Sequence, residues 1–277
     1  MTNMTRQKGL VLTGIAALLY IFLGIAFADG MFDVGNFWSS EFIFEGTWLT
    51  YALLAAIIIL GVVNANRIPE QGITLDAGTT RGEGQVDDPA WWKLLLGNTY
   101  LAVLWLPIRF FVGQEWLMAG EHKVRSSAWM DGGTALQGYW TSATAINPET
   151  GASRITYSWF HDFISYMLDH EWYTWFAKLV AVGEVLVGLG LIFGALVGIA
   201  AFFGTVLNFN FMMAGTVSSN PVLFGLTVFL VLGWKVAGFL GIDRWLLPLL
   251  GTPWQLGKVA GERHDTPLVG GHPHPQS

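Results

Sequence analysis

Between Leu179 and Trp234 the chain carries one ionisable residue, Glu184. A carboxylate in so apolar a run is costly and is therefore a candidate for function. Three further polar residues come to similar depth. Counting about 1.5 Å per residue from Tyr173, Glu184 lies roughly 16 Å into its segment. Asn208, counted from Val197, reaches about the same level, with Asn210 slightly further out. Arg109 lies roughly 22 Å from Leu94, in the outer half, and its long side chain is expected to reach toward Glu184. A quinone head group needs hydrogen-bond donors to its carbonyl oxygens and a proton route, set among apolar walls. The pattern assigns the catalytic part to Glu184 and Arg109, and quinone or substrate binding to Asn208, Asn210 and Lys123. The same residues also fit a buried ion pair with amide partners that fixes helix register, and the pattern leaves both readings open.

Other chemistries lack their residues. The chain has no cysteine, which excludes disulfides, iron–sulfur clusters, covalent c-type haem and thiolate catalysis. His122, His161 and His170 show no ligand pair at i, i+3 or i, i+4, so no metal or haem is indicated. No glycine loop follows a strand, so no nucleotide is indicated, and no basic run suggests nucleic acid. Glu115, Glu121, His122 and Lys123 cluster where their segment ends, either as a rim guiding an anionic substrate or as a solvated helix end.

The elements that must position these residues are membrane helices. Of 277 residues, 53% are hydrophobic and only 12% charged, about half the charged fraction usual in a soluble domain. Six segments approach the roughly 20 apolar residues a bilayer crossing needs: Gly9 to Ala28, Thr47 to Val63, Leu94 to Leu117, Tyr173 to Phe193, Leu196 to Gly215 and Pro221 to Leu240. The first is read as a span and not as a signal peptide, because its apolar run is long and no cleavage site stands apart from it. Pro107 is expected to bend the third, and a tight turn near Gly194 to fold the fourth and fifth into a hairpin. Glycine spacings such as Gly183, Gly188 and Gly190 suit close helix packing. The 14 tryptophans suit interfacial anchoring.

Lysine and arginine set the orientation. Arg6, Lys8, Arg67, Arg81, Lys93, Arg244, Lys258 and Arg263 fall on one side, against Lys123, Arg125 and Arg154 on the other. Both termini are therefore expected in the cytoplasm of a multi-pass protein of the cell membrane, with the lipid bilayer as its first partner. The chain divides into a two-span unit (1–66), a polar, flexible cytoplasmic linker (67–93), a four-span bundle (94–250) with an aromatic outer loop (121–172), and a disordered tail (251–277). Within the loop, Thr156 to Leu168 reads as an amphipathic helix lying in the outer interface.

Three stretches carry a family resemblance. LPIRFFVGQEWLMAGEHK (Leu106 to Lys123), AKLVAVGEVLVGLGLIFGALVGIAAFFG (Ala177 to Gly204) and NPVLFGLTVFLVLGWKVAGFLGIDRWL (Asn220 to Leu246) resemble, in order and spacing, the helices of the DoxX/DoxD membrane family. The matching residues are Arg109, Gly113, Gly120, Lys123, Glu184, Asp243 and Arg244. The resemblance covers about Leu94 to Pro248 and implies a four-helix membrane bundle. The two N-terminal spans and the aromatic loop are additions to the minimal pattern. DoxD is a subunit of thiosulfate:quinone oxidoreductase, so the resemblance implies transfer of electrons from thiosulfate to the quinone pool. The chain offers no redox centre of its own, so a partner redox subunit on the outer face is expected, unless substrate and quinone exchange electrons directly. The alternative is a non-catalytic membrane anchor that recruits such a partner through the aromatic loop.

Overall fold

The computed structural model describes residues 2–39, 41–75, 88–216 and 218–251. Most of them are helical. Two antiparallel helices open the chain, α1 (Arg6–Phe27) and α2 (Thr47–Asn66). Thr5 caps α1 by accepting the Lys8 N–H at 3.3 Å. The described chain is all-α as expected apart from one addition, a short antiparallel ribbon of Thr2–Met4 (β1) and Ile73–Leu75 (β2). The start of the expected flexible linker is thus tied to the N-terminus. Residues 76–87, like the expected disordered tail from 252 onward, lie outside the described residues.

The third expected span is built differently. The helix α3 (Ala90–Gly97) stops at Asn98, whose extended backbone and side chain, accepting the Tyr100 N–H at 3.0 Å, start a 3-10 segment (Thr99–Trp105). Only then does α4 (Leu106–Arg125) begin. Pro107 therefore opens a helix where it was expected to bend one. In the first turn its missing N–H has no helical partner to lose. The late start carries α4 through Lys123, which was expected beyond the span.

Two short helices follow, α5 (Ser127–Met130) and α6 (Thr134–Thr144), then α7 (Ser158–Asp169). The long α8 (Tyr173–Phe193) runs antiparallel to α4 and turns at Gly194, in the left-handed region at φ 67°. It returns as α9 (Val197–Met213). The last expected span is broken at Gly233 into α10 (Asn220–Leu232) and α11 (Trp234–Ala237), before α12 (Asp243–Leu249). The indole of Trp105 lies against Gly233, where an added Cβ would meet it at 2.4 Å.

Four helical segments are long and apolar enough to cross a membrane: Arg6–Phe27, Thr47–Asn66, Thr99–Arg125 and Tyr173–Phe193. The expected fifth and sixth are the shorter apolar helices α9 and α10, of 17 and 13 residues. One apolar core joins the expected two-span unit to the bundle, with Ala16, Tyr20, Leu53 and Ile57 among Leu106, Phe110 and Phe111. A buried polar chain crosses the same junction. The Tyr20 hydroxyl donates to Gln114 Oε1 at 2.8 Å, and Gln114 Nε2 donates to Thr50 Oγ1 at 2.6 Å.

A second core covers one end of the bundle. The α7 residues Phe160, Ile164 and Met167 are buried with Leu136, Trp140 and Ala177, while Trp159 and Tyr166 remain exposed. The amphipathic helix is present, and its apolar face is spent on α6 and α8. This cap end lies opposite the hairpin end at Gly194.

The helices α4 and α8 approach closely. A Cβ at Gly188 would lie 2.7 Å from the Leu117 amide nitrogen, and one at Gly113 would lie 3.1 Å from the Gly188 carbonyl. Gly188→Leu should therefore lower the unfolding temperature in detergent, at an overpacking cost of about 1–3 kcal/mol. Gly225→Ala, inside α10 and with a methyl that meets nothing within 4 Å, should not lower it. Equal unfolding temperatures for the two variants would show that α4 and α8 are not held at glycine distance.

Candidate functional site

The glycine contacts of α4 and α8 set a register in which the cap end of one faces that of the other. Lys123, in the last turn of α4, meets Glu184 across this interface, with Nζ to Oε2 at 2.6 Å. Glu184 is fully buried, whereas the Lys123 side chain keeps 18% of its surface. The ammonium also sits 5.2 Å from the Trp129 ring centre and 5.9 Å from that of Phe211, within cation–π range. The α4 residues Trp116 and Lys123 are seven apart, two turns on one face. With Trp129, Tyr139 and Phe211 they wall a cavity of about 330 Å³ that Glu184 also lines.

Two groups in this wall lack hydrogen-bond partners. Glu184 Oε1 and Trp116 Nε1 are buried and unpaired, a rare and costly state for polar groups. Both amide atoms of Asn208 are unpaired as well. Asn208 follows Gly204 by one turn on the inward face of α9, and Gly204 lies against Val187 and the Trp116 indole nitrogen. The antiparallel register that sets Val187 beside Gly204 puts Asn208 and Glu184 at about one level. A charged donor, an acceptor, an indole N–H and a free amide thus gather inside the bundle. Such a set can hold a ligand bearing oxygen atoms and move a proton to it.

Arg109 stands elsewhere, which corrects the expected approach to Glu184. Because α4 starts at Leu106, Arg109 lies in its first turn at the hairpin end. Its guanidinium donates to the carbonyls of Ala237 at 2.7 Å and Leu240 at 3.2 Å. Asp243 completes this end by accepting the N–H groups of Leu196 at 2.6 Å and Val197 at 2.9 Å. Burial raises the Asp243 carboxyl above its ordinary range, against the pull of the two backbone donors and of Arg109. The expected catalytic pair is therefore separated. Arg109 and Asp243 tie chain ends together, while Glu184 belongs to the cap-end cavity.

The remaining expected residues divide in the same way. Asn210 is exposed and donates to the Val206 carbonyl of its own helix at 2.7 Å. Gly113 and Gly120 face α8, and a Cβ at Gly120 would lie 2.7 Å from Val185. Gly183 meets nothing within 4 Å, so it does not pack a helix as expected. Arg244 is exposed, over the rings of Phe239 and Trp245. Of the expected rim, Glu121 is buried, accepting the backbone N–H groups of Ile43 at 2.8 Å and Phe44 at 2.5 Å, with Arg125 at 3.0 Å. The His122 ring lies tilted against Phe42, 3.8 Å between centres, and 3.6 Å from Glu45. Among the described residues no three histidines or carboxylates gather as a metal-ligand set. Trp116, Trp129, Tyr139 and Phe211 were not singled out from the sequence. The seven-residue step from Trp116 to Lys123 was the available signal.

The architecture and site define a helical membrane-type bundle in which a half-buried lysine meets a buried glutamate at an aromatic cavity. The chain matches no family model, no curated protein and no solved structure.

Asp243→Ala leaves two backbone donors at the start of α9 without an acceptor. Loss of a comparable cap costs about 1–2 kcal/mol. Thermal unfolding in detergent should show that loss, with Asp243→Asn intermediate. An unchanged unfolding temperature for Asp243→Ala would remove its structural role.

Proposed function

We propose that the chain is a membrane subunit of a quinone-linked oxidoreductase, with six spans in the cell membrane and both termini cytoplasmic. The observation that carries this reading is the unpaired Glu184 Oε1 beside Lys123, in the wall of an aromatic cavity. Quinone reduction consumes two electrons and two protons. In this reading a Lys123 N–H donates to a quinone carbonyl and stabilises the negative charge that grows on it. Glu184 carries protons toward that oxygen, and the aromatic walls stack on the ring. The donor named by the family resemblance is thiosulfate: two thiosulfate ions joining as tetrathionate release the two electrons required. A redox partner at the cap end is the other source.

A second reading is a non-catalytic anchor. It is favoured by the exposed outer aromatics of the cap, Tyr157, Trp159 and Tyr166, which suit capture of a redox partner.

Thiosulfate-dependent reduction of a quinone analogue by the purified chain separates the two. Turnover by wild type should fall by about 10²- to 10⁴-fold in Glu184→Gln, while membrane insertion is retained. Lys123→Met should also lose turnover. Full turnover in Glu184→Gln would remove the proton role, and no turnover by the wild-type chain would favour the anchor.

A further inference from the structure

A second, larger cavity lies against the first. It is a crevice of about 600 Å³ between α8 and α9, within the size range of small-molecule sites. Small residues, Gly183, Gly190, Ala195 and Ala200, make its floor. Leu186 and Phe203, exposed on their helices at 62% and 54%, stand at its rims. Ile164 and Met167 of α7 close it at the cap end. The side-chain amide in its lining is that of Asn210, whose Nδ2 already donates to Val206. An occupant therefore has little to bond with and must be apolar.

Tyr139 and Phe211 line both the crevice and the Lys123–Glu184 cavity. Their rings meet edge to face with centres 6.4 Å apart, and the Tyr139 hydroxyl is held 2.6 Å from Thr216 Oγ1. A pair of aromatic rings is thus the partition between a polar compartment and an apolar one.

We infer that the two compartments form one site for a single-tailed amphiphile, its oxygen-bearing head at Lys123 and Glu184 and its tail between α8 and α9. The identity of the head as a quinone rests on the function proposed above. The tail crevice is the additional claim. A long-chain fatty acid shares this chemistry of oxygen head and apolar tail, and the test separates the two sources. Gly183 is the position to fill, since it lines the crevice and a side chain there meets no neighbour within 4 Å.

The test measures quenching of tryptophan fluorescence by a decyl-tailed benzoquinone and by its tailless head, and displacement of bound quinone or a fluorescent fatty acid by palmitate. Wild type and Gly183→Leu are compared at one detergent concentration, so that partition into micelles cancels. Burial of two or three methylenes is worth more than about tenfold in affinity. Gly183→Leu should weaken the tailed quinone by at least that factor and leave the tailless head unchanged, which also reports an intact fold. Equal affinities of both proteins for the tailed quinone would overturn the crevice and leave the quinone reading standing. Equal weakening of tailed and tailless ligands would overturn it too. Binding of palmitate alone, sensitive to Gly183→Leu, would support the amphiphile site and overturn the quinone head. Binding of none of the three would overturn both.

Discussion

Two helices approach so closely that a single methyl group would part them. At Gly113, Gly120 and Gly188 the backbones of α4 and α8 stand in contact. Between apolar helices in lipid there is little hydrophobic gain from association, so close packing of small residues supplies the attraction. The contact also sets the antiparallel register of the pair. Arg109 is thereby placed at the Gly194 turn and Lys123 opposite Glu184. A slip of one turn would separate the ion pair and bring side chains against backbone.

Both ends of this pair hold buried polar groups, and at the hairpin end Arg109 Nε is itself without a partner. At the hairpin end, Asp243 accepts the first N–H groups of α9, and Arg109 takes up the carbonyls released where α11 ends. Those bonds satisfy backbone atoms that a broken helix leaves exposed in an apolar setting. At the cap end, Glu184 Oε1, Trp116 Nε1 and the Asn208 amide have no partner. Unsatisfied groups of this kind cost stability, and two of them, Glu184 and Trp116, line the aromatic cavity. The N-terminal hairpin supports the same end, through Tyr20 and Gln114 inside the core and through the Ile43 and Phe44 amides on Glu121.

The cap gives that cavity its other walls. Tyr139 belongs to α6 and Trp129 to α5, both packed over the end of the bundle by the core that buries Phe160, Ile164 and Met167. The aromatic walls surround a fully buried Glu184, while the Lys123 side chain keeps 18% of its surface, so the pair meets in surroundings less polar than water. The crevice between α8 and α9 lies beside it on the apolar flank, behind the Tyr139 and Phe211 rings.

Much of the architecture was legible along the chain, because length, hydropathy and the placing of charges are local properties. The apolar helices, the turn at Gly194, the amphipathic α7 and the isolation of Glu184 all follow from runs of a few to twenty residues. The partner of Glu184 did not. Arg109 and Lys123 are both long cations on one helix, and choosing between them requires the start of α4. That start is decided by Asn98 and by Pro107 acting as a helix opener, each of which reads equally well as part of a continuous apolar span. Likewise Gly183 and Gly188 look alike in sequence, yet Gly188 is pressed on Leu117 and Gly183 opens into a crevice. The sequence by itself determined which segments are apolar and which residues carry charge among them. Tertiary packing alone decided which charges meet, because the register of two helices is set by contacts between residues some seventy positions apart.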